Sequence, residues 1–409
     1  MGQGQKPEQR PPKSRTKWDE PRAERGASAK RLPSDEGTSR LEDHPLREAV
    51  RWADVFGLDL LVTFSSMGKV TRKTLSLPRK IDIMVLYPLK FQPIFNDKIW
   101  GGRKIKDVIG LDYGALPNCG EAWLLSGLWD EQSVVANGDF EGDEINDLVE
   151  TFMGDLVGEG VFDKYGEQFP LLIKIIDAND WLSVQVHPDD ELAEKREIGN
   201  GKTEMWYVMQ ADQGAELVSG FNCEMNRMKY IRVLKDNAIQ TVLNHETVQP
   251  GDVFYLPAGR VHALGPGITV AEIQQTSDVT YRIYDWDRID VAGMRRELHI
   301  PQSLDAVDFA PVENYKTTYE DVLNKTVPVV NSPYFTSNLL HLTGEMAKDY
   351  SELDSFVLLF PVEGKFLLEW ENGSVFVNTG EVVLIPNVIE KVNIKAQGEC
   401  KLLEIYNDI

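Results

Sequence analysis

In the run Trp181-Leu182-Ser183-Val184-Gln185-Val186-His187-Pro188, strand alternation puts Ser183, Gln185 and His187 on one face. Leu182, Val184 and Val186 take the other. An amide beside an imidazole is more than a structural sheet requires, although a buried histidine satisfied by its neighbours is the plain alternative. Two further residues keep this pair company. Glu204 begins a strand-like run in GKTEMWYV, and His262 closes GDVFYLPAGRVH. Two imidazoles, a carboxylate and an amide oxygen suit a divalent zinc ion, whose catalytic sites have three strong ligands and an open position. The chain has six histidines, and the other four (His44, His245, His299 and His341) have no such company.

The elements that must position these residues read as short β-runs broken by Gly, Pro, Asn and Asp. They include FPLLIKIID (169–177), WLSVQVHP (181–188), MWYVMQ (205–210), VFYLPA (253–258) and ITVAEIQQ (268–275). Many short strands at close spacing predict a mainly β sandwich or jelly roll. Helices are predicted over 143–154, where Ile145, Leu148, Val149 and Phe152 recur at helical spacing, and over 189–197 and 223–237. A weak internal repeat relates PGDVFYLPAGRVHAL (250–264) to TGEVVLIPNVIEKVN (379–393), with Lys391 where the first copy has His262. Two β-barrel units follow from it, the second having lost the metal position.

Composition narrows the function class. Of 409 residues, 42% are hydrophobic and 26% charged, ordinary globular usage for two or three domains. The net charge of −22 divides unevenly: residues 1–83 carry +5 and the rest −27. Such an acidic body argues against nucleic-acid and anionic-membrane partners. No apolar run reaches the roughly 18 residues of a membrane span. Three scattered cysteines (Cys119, Cys223 and Cys400) form neither a CxxC pair nor a disulfide framework, which fits a reducing cytoplasm. Residues 1–43 are rich in Pro, Gly, Ser and charge, a composition that predicts disorder. Residues 46–64 have the pattern of a short amphipathic helix. The basic extension 1–83 reads as a disordered tail, as a stretch upstream of a true start at Met84, or as a basic docking arm.

The spacing Gly251-x5-Pro257-x4-His262 is similar to the second motif of the cupin fold, and Gln185-x-His187 with Glu204 stands where the first would place its ligands. The resemblance becomes specific in KIIDANDWLSVQVHPDD, GKTEMWYV and GDVFYLPAGRVHALGPGITVAEIQQTSDVTYRIYDWDR, and in the opening segments YPLKFQPIFNDKIWGG and GEAWLLSG. These resemble the short form of the type I phosphomannose isomerases over about Met84 to Ile409. The resemblance implies a cupin-type double barrel. Residues 84–315 would form the catalytic zinc domain with helical insertions, and 316–409 a second, metal-free cupin-like β domain. It implies one zinc per chain, held by Gln185, His187, Glu204 and His262. The implied reaction interconverts mannose 6-phosphate and fructose 6-phosphate through a cis-enediol, in a cytoplasmic enzyme of mannose metabolism, a monomer or weak homodimer.

Further roles come by the same route. Arg282, in TYRIYDWDR, matches the active-site arginine and would stabilise the enediolate or grip a substrate oxygen. Lys202 and Lys174 match pocket lysines suited to phosphate binding or proton transfer, and Ser183 a small polar residue beside the phosphate. The base stays open between a zinc-bound water, Lys202, Glu272 and Asp278. Of the many aromatic residues, most are expected in the core, with Trp100 and Tyr281 the better pocket candidates. A non-catalytic sugar-phosphate-binding cupin predicts eroded ligands and lost cations, whereas every matched position here is filled. Another metal-dependent cupin isomerase is the second alternative. A redox oxygenase is disfavoured by the Gln/His/Glu/His set.

Overall fold

Period-2 alternation becomes curled antiparallel sheets in a computed structural model of the protein. It describes residues 85–289 and 293–408, together with a short antiparallel ladder of Ser65–Ser66 with Lys69–Val70. The rest of the basic extension, including the candidate helix 46–64, lies outside the described residues. Met84–Ile409 forms one compact unit.

In chain order, the strands of its first part are β1 (Leu89–Lys90), β2 (Ile94–Asn96), β3 (Glu121–Ser126), β4 (Leu171–Ala178), β5 (Val184–Val186), β6 (Glu204–Ala211), β7 (Glu216–Phe221), β8 (Leu243–Thr247), β9 (Val253–Leu256), β10 (His262–Ala263), β11 (Ile268–Gln275), β12 (Tyr281–Tyr284) and β13 (Lys316–Thr317). A seven-stranded sheet runs β13-β9-β6-β11-β4-β3-β2, and a five-stranded one runs β8-β7-β10-β5-β12. Leu217 of the smaller sheet packs with Ile176, Trp206, Phe254 and Val270 of the larger, so an apolar layer lies between them.

Alternation assigns the two faces. In β4, Ile173 and Ile175 join the outer core with Met205, Tyr207 and Ile273, while Ile176 faces the inner layer. Lys174 shares that inward parity. The outer core also takes Ile145, Leu148 and Val149 of α1 (Ile145–Phe152), the apolar stripe read in the sequence. Helix α2 (Asp190–Lys195) is capped by Asp189, whose Oδ1 accepts from Leu192 N at 2.8 Å. Helix α3 (Arg227–Lys235) is capped in the same way by Asn226 and covers the back of the five-stranded sheet through Tyr230.

The second part folds as β14 (Lys325–Asn331), β15 (Thr336–Asp349), β16 (Val357–Glu363), β17 (Lys365–Trp370), β18 (Gly373–Asn378), β19 (Val383–Ile385) and β20 (Lys391–Tyr406). Its sheet runs β14-β15-β20-β16-β19-β1, with β17 bridging β20 and β18. Around it pack Leu340, Leu342, Leu359, Phe366, Ile394 and Leu402. Leu89–Lys90 crosses over to complete the second sheet, while Lys316–Thr317 closes one edge of the first. At the repeat, His262 is buried, whereas Lys391 is exposed and 3.3 Å from Asp349. No helix among the described residues is long and apolar enough to cross a membrane.

Candidate active site

Strand register assembles the site. In the five-stranded sheet Gln185 stands opposite His262 on one side and Arg282 on the other, a row of three across β10, β5 and β12. Residues directly opposite in an antiparallel pair point to the same face. In the seven-stranded sheet Lys174 stands opposite Glu272 and Trp123, Glu272 opposite Trp206, and Gln274 opposite Glu204. Members of both rows line a cavity of about 390 Å³. Its lining includes Lys174, Ser183, Gln185, Lys202, Glu272, Asp278 and Arg282.

His187, Glu204 and His262 are all buried, and one ligand atom from each lies within 4.8 Å of the others. Glu204 Oε1 is 3.1 Å from His262 Nε2, and its Oε2 is 3.5 Å from His187 Nε2. Each imidazole is turned by its far nitrogen. His187 Nδ1 meets Val279 O at 2.7 Å, and His262 Nδ1 meets Arg260 O at 2.9 Å. A carbonyl oxygen only accepts, so both Nδ1 atoms carry the proton and both Nε2 atoms keep a lone pair aimed at the carboxylate. Burial, and then Lys202, depresses the His187 pKa well below its ordinary value, which keeps that imidazole neutral. Neither Glu204 oxygen accepts a hydrogen bond. Three acceptors converging in a buried pocket need a cation among them, and the residues fit a divalent metal on that ground. Lys202 Nζ is 3.0 Å from Glu204 Oε2 and supplies part of that charge. Gln185 stands at the edge of the cluster, its Nε2 3.3 Å from His262 Nε2. A half-turn of the amide would present its oxygen instead.

The floor of the cavity is a second ionic cluster. Lys174 Nζ lies 3.2 Å from Glu272 Oε1, donates to Gln274 Oε1 at 2.8 Å, and sits 5.1 Å over the Trp123 ring. Trp206 Nε1 donates to Glu272 Oε2 at 2.7 Å. Burial opposes charge on Lys202, but Glu204 and Glu272 outweigh it and raise its pKa, so the ammonium stays protonated at neutral pH. Burial would likewise raise Glu204, but the Lys202 ammonium beside it holds it well below the usual carboxylate range. Asp278 is the exposed member, at the cavity rim.

Several lining residues have no signal in the ligand runs. Glu121 and Trp123, two apart on β3, share a face. Trp123 Nε1 donates to Glu121 Oε2 at 2.8 Å, and Lys98 Nζ is 3.5 Å from Glu121 Oε1. Their alternation in GEAWLLSG was the available clue. Arg296 follows a loop, and nothing local marks it. Trp100 lines the cavity as expected, but Tyr281 does not. It neighbours Arg282 on the same strand, so it faces the opposite side and packs with Val184, Val186 and Ile283.

The sequence pattern described as phosphomannose isomerase type I, catalytic domain, matches residues 88–218, and that of the mannose-6-phosphate isomerase cupin domain matches 324–407. Mannose-6-phosphate isomerase of Streptococcus mutans is 35% identical over 304 residues, spanning 74% of this chain and 93% of the relative. The Bacillus subtilis (strain 168) enzyme is 34% identical over 326 residues, 78% of this chain and 98% of its own. Among solved structures, mannose 6-phosphate isomerase from Bacillus subtilis superposes with a TM-score of 0.70 at 31% identity, covering 78% of this chain and 99% of that one. A mutant phosphomannose isomerase from Salmonella typhimurium shares the fold at TM-score 0.66 and 18% identity, covering 79% of this chain and all of that one. The chain is therefore an isomerase belonging to the type I phosphomannose isomerase family.

Proposed function

We propose that the protein interconverts mannose 6-phosphate and fructose 6-phosphate by moving a proton between C1 and C2 of the open-chain sugar through a cis-enediol. One zinc would be held by His187, Glu204 and His262, with Gln185 as a fourth donor. Residues 84–315 would carry the chemistry, and 316–409 would form the second, metal-free domain. The observation that carries this reading is the convergence of two imidazole nitrogens and the Glu204 carboxylate beside a cavity lined by Lys174, Gln185, Lys202 and Arg282. When bound, the metal would act as a Lewis acid on the sugar's carbonyl and hydroxyl oxygens.

The chain's own residues do the rest. Lys202, protonated, donates toward the oxygens of C1 and C2 and offsets the negative charge that develops there. Arg282, on the same sheet row as Gln185 and His262, adds a fixed guanidinium. Lys202 is engaged with Glu204 at 3.0 Å, so the candidates for the base are the carboxylates Glu272 and Asp278. Glu272 is held by Trp206 and Lys174, and its Oε1 accepts no hydrogen bond. We assign it the proton transfer: it takes the C2 proton of the aldose and returns it to C1, while the O2 proton passes to O1. Ser183 would bind the phosphate or a hydroxyl, and Asp278 at the rim stays the second candidate for the base.

The test is direct. Purified protein is incubated with mannose 6-phosphate, and fructose 6-phosphate is followed before chelation, after it and after zinc restoration. Turnover should vanish with the metal and return with zinc. An inert zinc-loaded protein would sink the isomerase reading. Full turnover in metal-free protein, verified by elemental analysis, would sink the metal's role.

A further inference from the structure

Lys202 lines the cavity, yet it stands outside any regular strand, two residues before β6 begins at Glu204. No sheet ladder holds it, so its backbone must find partners elsewhere. Three successive amides do so. Gly201 N donates to Asp190 Oδ1 at 2.9 Å, Lys202 N to Pro188 O at 3.0 Å, and Thr203 N to Gln275 Oε1 at 2.8 Å. Gln275 Nε2 in turn donates to Asp190 Oδ1 at 3.0 Å. One carboxylate oxygen therefore holds both flanks of Lys202, directly at Gly201 and through Gln275 at Thr203. The seam is close enough to require a glycine: a Cβ on Gly201 would lie 2.6 Å from Asp190 N and 2.7 Å from Asp190 Oδ1. It joins the chain just after one candidate ligand, His187, to the chain just before another, Glu204. From this seam the Lys202 ammonium reaches Glu204 Oε2 at 3.0 Å.

The other oxygen of Asp190 is held from the second part of the chain. Tyr334, in the turn between β14 and β15, donates its hydroxyl to Asp190 Oδ2 at 2.7 Å. That turn is pinned by Asn407 Nδ2, which donates to Tyr334 O at 2.6 Å. Burial, and then the bond to Asp190, raises the Tyr334 pKa, so the phenol stays a donor across the neutral range. Asp190 begins α2 at the surface, where a carboxylate without partners turns freely in water. This one accepts from Gly201, Gln275 and Tyr334, three donors far apart in sequence. Hydrogen bonds to a carboxylate are the stronger kind.

We propose that Asp190 is a positioning residue for Lys202, and that Tyr334, by holding Asp190, makes the second part of the chain a working part of the site. The inference rests on the sugar-phosphate reading above, because the ammonium being placed is the one assigned to the charge developing at C1 and C2. Neither Asp190 nor Tyr334 lines the cavity, so both act through Lys202 and not on the substrate. A shift of about 1 Å in such a group is enough to cost on the order of 10²-fold in rate.

The test uses the zinc-loaded full chain. Asp190→Ala should lower kcat for mannose 6-phosphate by about tenfold or more, with KM and zinc content little changed. Asp190→Asn keeps an oxygen for Gly201 and Gln275 and should recover most of the loss. Tyr334→Phe removes one hydroxyl and should lower kcat about threefold, yet add nothing in an Asp190→Ala background, since the two act through one relay. A merely loosened fold would lose zinc and raise KM as well, and its two defects would add. A second readout does not depend on turnover. Amide hydrogen exchange across Gly201–Thr203 should quicken in Asp190→Ala and, by less, in Tyr334→Phe. Unchanged kcat in Asp190→Ala, or additive losses in the double variant, overturns the positioning role. If the wild type fails to turn over mannose 6-phosphate, the sugar-phosphate reading falls and exchange decides the relay. Faster exchange in Tyr334→Phe upholds the hold on the Lys202 segment, and unchanged exchange overturns it.

Discussion

At the scale of single residues, the candidate site separates metal holding from charge placement. His262→Ala removes one of three converging donors and leaves Glu204 Oε1 facing a void, so bound zinc should fall to near zero by elemental analysis. Arg282→Ala touches none of those donors. It should keep zinc while kcat falls by about 10² to 10³, the usual cost of losing one preorganised donor to developing charge. Near-normal turnover in Arg282→Ala would remove that residue from the mechanism. Glu272→Gln keeps the acceptor for Trp206 and the shape of the floor but cannot take a proton. Turnover should drop at least as far as in Arg282→Ala, with zinc and KM little changed. If Asp278→Asn, not Glu272→Gln, abolishes turnover, the base is at the rim. Gln185 and His187 were legible in the sequence because they share one face of a short alternating run, whereas Lys174 and Arg282 came from the family resemblance. Arg296 was not, since its place in the cavity depends on a chain return that no local pattern encodes.

Elements explain why the ligand row can be read at all. Ser183, Gln185 and His187 keep their shared parity although the regular strand is only Val184–Val186. Register with His262 and Arg282 then follows from antiparallel pairing. What parity could not supply is partnership between strands, so the Glu121–Trp123 pair, delivered by β3 across β4, was missed. The exchange of Leu89–Lys90 into the second sheet escaped for the same reason, since non-local pairing leaves no period in a two-residue strand. One turn ties the two ligand strands together. Arg260 N bonds to Pro257 O at 3.0 Å, and Gly259 sits at φ +88, the left-handed third position of a type II turn. Gly259 N also donates to His187 O at 2.9 Å. Gly259→Ala should therefore cost about 1–3 kcal/mol in urea unfolding and lower zinc affinity together. A stability loss with zinc affinity intact would show that the turn does not set the ligand spacing.

For the molecule as a whole, buried acids set an alkaline limit. Burial pushes the Cys119 thiol up to about 11, and Cys400 and the Tyr230 phenol up to about 12. Groups with raised folded pKa values favour the fold fully at lower pH and lose that contribution as pH rises toward those values. The urea midpoint should thus fall between about pH 8 and about pH 10.5. The last question at this scale is what residues 1–83 add. Every residue lining the site lies between Asn96 and Arg296, inside the compact unit Met84–Ile409. Both family patterns also fall inside that unit, at residues 88–218 and 324–407. A protein beginning at Met84 should fold, bind zinc and isomerise with the kcat of the full chain. Its net charge becomes −27 in place of −22, and the substrate is an anion. At low ionic strength its kcat/KM should be the lower of the two, because long-range repulsion slows encounter. The difference should close above about 0.1 M salt, where the Debye length shrinks to about 10 Å. A truncated protein inactive at every salt concentration would place part of the working enzyme within residues 1–83.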